Sequence, residues 1–430
     1  MMKRKVESGR TLLVDGPASV NHVSGDIEVL GAKLEKGEKV VIREGKRVPF
    51  MVKRKATFDL TLGEDASFEE VEGSTIPSSW DDALKEIKAC GRPLTVMVMG
   101  EVDSGKTSFC TYLINHALKM KWKAAIIDAD LGQSDVGPPS TMGFSRVTMP
   151  IKDLFEIEEA EKAHFVGLTS PSQVIYRVME ALVELKKDVE SEDVDFLVIN
   201  TDGWISGEEA VRYKVALAEK VKPDVVAGIQ ESHELVPILT ALKETKTLAI
   251  DSPSAIKKRS QEKRKVLREL GYKKYLKKAK IRSFPLNWVK VERVLVGTGT
   301  SPQAERVKEI EEILGTSPVY CEENPTTVFV VLRRNSWIDE ERVRKIEDGL
   351  EKWVRVIRDG EEEGLLVGLH NENGVFLGIG ILDGIDYRRR VMKVYTPVSE
   401  KVSSIRVGQI KLDKDGREIG LSPVFSRYQS

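Results

Sequence analysis

An α/β fold is predicted for this chain, with a central parallel sheet carrying helices on both faces and a small β domain before and after it. Three observations predict it. Between residues 94 and 250 short apolar runs alternate with helical segments, as the crossovers of a parallel sheet require. Ahead of that stretch, residues 10–70 carry β-type runs punctuated by glycines, the sign of a small β domain. Beyond about residue 291 paired β runs return, separated by turn residues. The domains expected are 1–75, 76–290 and 291–430.

In order along the chain, β runs are expected at residues 26–30, 39–43, 49–52 and 57–62. After a loop at 73–79, a helix over 80–89 leads into 94–99, a continuous apolar run of the kind a buried parallel strand displays. Helices follow at 108–119 and 174–186, and strands at 124–127, 196–200, 225–229 and 247–250. Toward the C-terminus β runs are expected at 328–332, 365–370, 375–381 and 405–412, with hairpin turns at 371–374 and 413–416. No internal repeat is visible.

The composition excludes several classes. With 41% hydrophobic and 31% charged residues over 430 positions, the chain reads as soluble and long enough for two or three cores. Cys90, Cys110 and Cys321 are too scattered for a disulfide framework or a zinc site. No signal-peptide run and no apolar stretch of about 18 residues occurs, so a cytoplasmic protein without membrane contact is expected. The net charge of −1 means that any hold on nucleic acid must come from local clustering. Residues 257–282 supply it, with thirteen Lys or Arg against two Glu, a local charge of +11. A segment so charged is expected to lack partners inside the protein and to meet a polyanion.

Residues 100–107, Gly-Glu-Val-Asp-Ser-Gly-Lys-Thr, match G-x-x-x-x-G-K-[ST] between a buried strand and a helix. That setting makes a phosphate loop, and so a central P-loop NTPase domain. The N–H groups of Gly100, Asp103, Ser104, Gly105, Lys106, Thr107 and Ser108, with the helix that follows, are placed to receive phosphate oxygens. Lys106 would reach the β- and γ-phosphates, and Thr107 would ligate Mg²⁺ or another divalent cation. Asp128 and Asp130 end the next strand, where open parallel sheets gather ligands. Either could serve the metal or act as a base; Asp128 is expected to cap the turn and Asp130 to carry the chemistry.

No Asn precedes a Lys, which removes the N-K-x-D loop of guanine-binding GTPases, and the L-S-G-G-Q signature of ABC transporters is absent too. A kinase needs mobile cations that close over the transferring phosphate, and Arg259 and Arg264 in the basic segment are the candidates.

Taken together, the phosphate loop with Asp103, the D-x-D-x-G-Q stretch at 128–133, Thr169-Ser170-Pro171-Ser172, Asn200-Thr201-Asp202-Gly203-Trp204, and Arg259-Ser260 followed by Arg264 resemble the polyribonucleotide 5′-hydroxyl kinases. The resemblance covers the central domain, about residues 94–290, and the chain is read as a free-standing archaeal member. It implies an ATP-dependent kinase acting on RNA with a 5′-hydroxyl end. DNA as acceptor and GTP as donor stay open. It further implies that Asp130 activates the hydroxyl, that Gln133 positions the metal, its water or the substrate, and that Arg259 and Arg264 form a lid. Thr169 and Ser172 would clasp the RNA backbone, or else belong to a simple Ser-Pro turn, 169–172, that caps the helix after it; Trp204 would be a platform for the terminal base, or else a core residue. An ATP-bound scaffold without catalysis and a P-loop NTPase switch are the alternatives in function. The residues that contact adenine have no match in the N-terminal region.

Overall fold

The computed structural model describes residues 2–190, 192–293 and 299–422, which divide into two compact units, Met1–Gly271 and Tyr272–Ser430. The first unit opens with a seven-stranded antiparallel sheet: β1 (Met2–Val6), β2 (Arg10–Asp15), β3 (Ala18–Val29), β4 (Ala32–Lys33), β5 (Lys39–Ile42), β6 (Arg47–Leu62) and β7 (Phe68–Glu72). Along β6 every second residue is buried from Val48 to Val52 and again from Ala56 to Leu60, the period of a half-buried strand. The exposed Lys53-Arg54-Lys55 between them hid from sequence reading that 49–52 and 57–62 belong to one strand.

The same unit continues with α1 (Ser78–Lys88), β8 (Leu94–Gly100), α2 (Lys106–Lys119), β9 (Ala124–Ala129), β10 (Thr141–Val147), β11 (Lys162–Phe165), α3 (Ile175–Glu190), β12 (Phe196–Thr201), α4 (Glu208–Val221), β13 (Val225–Gln230), α5 (Val236–Ala241), β14 (Lys246–Asp251) and most of α6 (Gln261–Tyr275), whose last residues belong to the second unit. Its sheet runs β11-β10-β9-β12-β8-β13-β14. The strands from β9 to β14 along that order are parallel, and β10 and β11 add an antiparallel edge.

Strand geometry sends neighbouring residues to opposite faces. Val96 and Val98 therefore pack with α1, α2 and the N-terminal sheet, while Met97 and Met99 pack with α3, α4 and α5. Phe50 and Phe58 of β6 share the first cluster with Phe109 of α2, so the two sheets are joined by one core. Trp80 sits fully buried in it, edge-on to Phe109 and Tyr112, with its indole N–H given to the Asp251 carbonyl at 2.9 Å. Truncating such a residue to alanine costs about 3–5 kcal/mol.

The second unit holds β15 (Lys280–Pro285), β16 (Lys290–Glu292), α7 (Ala304–Leu314), β17 (Tyr320–Glu323), β18 (Thr327–Leu332), α8 (Glu340–Leu350), β19 (Trp353–Arg358), β20 (Leu365–His370), β21 (Phe376–Asp386), β22 (Val391–Thr396), β23 (Ser404–Leu412) and β24 (Glu418–Leu421). A sheet ordered β15-β22-β21-β20-β23-β16, with β24 on β23, accompanies a three-stranded sheet β17-β18-β19. The turn at 371–374 joins β20 to β21, closed by the Gly374 N–H on the Asn371 carbonyl at 3.1 Å. Sequence reading named only β runs here, and the structure adds two helices. Ile310 and Leu314 of α7 and Ile346 of α8 bury against Val328, Val330 and Val354, a narrow apolar stripe in two otherwise charged segments. Among the described residues no helix is long and apolar enough to cross a membrane.

Candidate active site

Register brings three strand ends level: Asn200 of β12 lies opposite Val98 of β8 on one side and Asp128 of β9 on the other. Ligands of open parallel sheets collect beyond such C-terminal ends. The phosphate loop leaves β8 at Gly100 and passes through two left-handed residues, Asp103 (φ 61°) and Gly105 (φ 102°), before α2 begins at Lys106. A Cβ at Gly105 would stand 3.0 Å from Pro253, so both conformation and space require glycine there. No side chain caps this helix start, which leaves its N–H groups for an anion. Lys106 is 5% exposed and gives a hydrogen bond to the Glu101 carbonyl at 2.7 Å. Burial pulls its pKa down, against the attraction of Asp130, Asp202 and Asp103. The Ser104 hydroxyl is buried without a hydrogen-bond partner among the described residues, and Thr107 and Ser108 follow on the first turn, half-buried.

The two carboxylates at the end of β9, Asp128 within it and Asp130 just past it, have separate fates. Asp128 is fully buried; its Oδ2 accepts the N–H groups of Asp135 (2.7 Å) and Val136 (3.2 Å), and its Oδ1 accepts Asn200 Nδ2 (3.0 Å) and the Asp130 N–H (3.2 Å). Burial, with Asp135 and Asp130 nearby, raises it to about 7. It caps the loop. Among the described residues Asp130 uses only Oδ1, on the N–H groups of Gly132 (3.1 Å) and Gln133 (3.0 Å), and it lines the cleft over the phosphate loop. Burial raises its pKa and Lys106 opposes the rise.

The basic segment starts as a strap, with the Ser252 hydroxyl giving a hydrogen bond to the Ser104 carbonyl at 2.9 Å. Arg259 then bonds Asp103 twice, through its backbone N–H (2.9 Å to Oδ2) and its guanidinium (2.7 Å to Oδ1). Arg264, in the first turn of α6, reaches the same carboxylate at 3.3 Å. Gln133 bridges them: its amide gives to the Arg264 carbonyl at 3.2 Å, and its Oε1 faces Arg259 Nη1 at 3.5 Å. The expectation that this segment has no partner inside the protein is therefore corrected. Lys257 lies 3.4 Å from Asp15, Lys258 3.0 Å from Glu231 and Lys265 3.8 Å from Glu269. Most of these carboxylates come from distant parts of the sequence, so a local charge count missed them.

The segment of Thr169 and Ser172 leans on the same loop, since a Cβ at Gly132 would lie 3.0 Å from the Thr169 carbonyl. Ser172 is exposed, and its hydroxyl is 3.1 Å from that of Ser170. After β12 the chain touches the phosphate loop at Gly203, where a Cβ would meet the Val102 nitrogen at 2.6 Å. Trp204 comes next. It is half-buried and stacked on Tyr213, with centroids 5.6 Å apart and planes 26° from parallel. Sequence reasoning named Asp202 within its motif but gave it no role, and missed Tyr213 and Lys214 beneath it. It also missed the connection between β5 and β6, whose Lys46, with Arg47 at the start of β6, lines the cleft across from the phosphate loop. Arg43 and Lys46 anchor that connection on the buried Asp135 at 2.7 and 2.8 Å, and hold its carboxyl well below the usual range despite burial.

A family model described as the mRNA cleavage and polyadenylation factor CLP1 P-loop matches residues 100–278. The polyribonucleotide 5′-hydroxyl-kinase of Pyrococcus furiosus is 32% identical over 350 residues, 80% of this chain and 95% of that one. The chain belongs to the polyribonucleotide 5′-hydroxyl-kinase family. A protein of the same name from Methanocaldococcus jannaschii is 29% identical, covering 80% of this chain and 94% of its own. The solved complex of wild-type Clp1p with Pcf11p shares the fold at 11% identity, with a TM-score of 0.66 over 95% of this chain and 97% of Clp1p. The resemblance drawn from the motifs is thus borne out, and so is the P-loop α/β architecture with flanking β sheets.

Proposed function

We infer that this chain is an ATP-dependent polyribonucleotide 5′-hydroxyl-kinase, moving the γ-phosphate of ATP to the 5′-hydroxyl end of RNA in RNA processing. The observation that carries the reading is the convergence on one phosphate loop of Lys106, Asp130 and two arginines fastened to Asp103. The RNA 5′-oxygen bonds to the γ-phosphorus as the bond from that phosphorus to the β–γ bridging oxygen breaks. The hydroxyl proton passes to Asp130. A carboxylate whose pKa is raised by burial is a stronger proton acceptor, and Lys106 beside it opposes that rise. Lys106 and the loop N–H groups hold the β- and γ-phosphates. Each lid guanidinium has more donors than Asp103 takes up, and the rest face the equatorial oxygens of the transferring group. Fixed charge of this kind supplies most of the acceleration. Gln133, tied to Arg264, keeps lid and acceptor in register.

Thr107 and Asp130 offer hard oxygen ligands, and among the described residues no cluster of three His, Cys, Asp or Glu could hold a metal. That donor set fits Mg²⁺, or another divalent cation, which takes most of its ligands from phosphates and water. Held by these two residues it would neutralise charge on the β- and γ-phosphates. Thr169 and Ser172 clasp the RNA backbone, Trp204 carries the terminal base, and the connection from β5 to β6 with Lys46 and Arg47 faces the nucleoside end of ATP.

The test is incubation of the purified chain with γ-labelled ATP, Mg²⁺ and a 5′-hydroxyl oligoribonucleotide. Label on the RNA is expected. Labelled orthophosphate without RNA labelling would make the chain an NTPase switch, and label left in ATP would make it a scaffold. Repeating the assay with DNA ends and with GTP ranks the acceptors and donors.

A further inference from the structure

We propose that Tyr213 and Lys214 are positioning residues for RNA, holding Asp202 and through it the Trp204 platform that receives the terminal base. The proposal rests on the reading of Trp204 as that platform.

Lys214 has no solvent exposure, although it is a lysine on a surface helix. Its ammonium gives a hydrogen bond to the Asp202 carbonyl at 2.7 Å and lies 2.9 Å from Asp202 Oδ2. The Tyr213 hydroxyl gives to the same Oδ2 at 2.8 Å, and Asp202 Oδ1 accepts the Trp204 N–H at 3.0 Å. Burial, with the Asp202 carboxylate beside it, pushes the Tyr213 phenol well above its ordinary pKa, so it stays a donor. The Tyr213 ring also forms the surface on which the indole lies. Lys214 thus fixes backbone and carboxylate, the carboxylate fixes the Trp204 backbone, and Tyr213 fixes the plane of the ring.

Asp202 follows the last residue of β12, the strand beside that of the phosphate loop, a position where P-loop proteins hold a metal-binding carboxylate. Both its oxygens are instead engaged inside the protein. A buried ion pair is rarely the most stable way to fill a core, which turns attention to what the pair arranges. It arranges an aromatic surface one residue from the contact of Gly203 with the phosphate loop. An aromatic fixed before binding loses less freedom when a base stacks on it, and stacking accepts every base. The ligand class is therefore the 5′-terminal nucleobase of RNA, without sequence preference.

The experiment compares kcat and the KM values for a 5′-hydroxyl oligoribonucleotide and for ATP in the wild type, Tyr213→Phe, Tyr213→Leu and Trp204→Ala. Loss of the ring in Tyr213→Leu should raise the KM for RNA about tenfold. Tyr213→Phe keeps the ring, loses one hydrogen bond, and should raise it about threefold. In both, the KM for ATP should stay within a factor of about two. Tyr213→Phe removes a single oxygen and keeps the test open where Tyr213→Leu does not fold. If Trp204→Ala raises the KM for RNA while both Tyr213 variants leave it unchanged, the platform needs no support and the proposal is overturned. Equal rises for RNA and ATP, or a lower melting temperature alone, would mean a merely structural role and overturn it too. An unchanged KM for RNA in Trp204→Ala would instead remove the platform reading, and this inference with it.

Discussion

The ends of β9 and β12 look alike in sequence, each delivering carboxylates or amides to the edge of the sheet, yet they do opposite things. At the end of β9, Asp130 spends one oxygen on its own loop and keeps the other toward the cleft. Beyond β12, Asp202 has both oxygens engaged by Tyr213, Lys214 and the Trp204 N–H. Strand order alone would favour Asp202 as the reactive carboxylate, because β12 is the neighbour of the phosphate-loop strand. The partners support the other reading, which we propose: Asp202 is surrounded by donors and holds structure, and Asp130, with an oxygen left toward the cleft beside a buried ammonium, carries the chemistry.

Asp103 is a third case and carries the largest expected effect. Its partners are Arg259 and Arg264, the proposed lid, and the ion pairs hold both guanidinium groups at the phosphate loop. Replacing Arg259 or Arg264 by alanine should lower kcat by about 10³–10⁵ while leaving the KM for ATP within a small factor. Lysine should rescue poorly because it lacks the planar fork. A rise in KM with kcat unchanged would turn the lid into a docking surface and make Asp103 a plain anchor.

Next comes Asp128, whose oxygens accept four hydrogen bonds, all from N–H donors. Asparagine there would turn an N–H toward another N–H, leaving buried groups unsatisfied at about 1–3 kcal/mol each. Asp128→Asn should therefore melt several degrees lower, read by calorimetry, and lose activity with the fold. An unchanged melting temperature with activity gone would move the catalytic role to Asp128.

Trp204→Ala should weaken RNA binding by about 1–3 kcal/mol with ATP affinity unaltered, measured by anisotropy of a labelled 5′-hydroxyl oligoribonucleotide. Early unfolding with normal RNA affinity would make it a core residue. The smallest effect concerns pH. Asp130 must be ionised to take the proton, and burial raises its pKa, so kcat/KM should fall as pH drops through a value above 3.8, the ordinary Asp position. A rate that stays flat down to pH 4 would exclude Asp130 as the base.

What the sequence made legible follows from how local each signal is. The phosphate loop, the strand ahead of it and the Asp130 loop are contiguous motifs, and each lies where its residues foretold. Partnerships across the chain were not legible: Asp103 meets Arg259 over 156 positions, and no local count contains that. Lys214 left a trace that went unread. On α4 the buried residues Ala210, Tyr213, Leu217, Ala218 and Val221 form a helical stripe that includes Lys214, and a lysine on an apolar stripe requires a buried partner. The charged helices α7 and α8 hid for the converse reason, since three apolar residues each suffice against a small sheet.

The contrast between the two strand ends is tested most directly by Asp130→Asn and Asp202→Asn, compared for label transfer at saturating RNA and for melting temperature. Asp130→Asn should keep its melting temperature and lose about 10²–10⁴ in kcat. Asp202→Asn strands the buried ammonium of Lys214, should cost about 3–5 kcal/mol of stability, and should keep most of its kcat per folded molecule. The reverse outcome, a stable but inactive Asp202→Asn beside an unstable Asp130→Asn that still transfers phosphate, would contradict the assignment of chemistry to the end of β9.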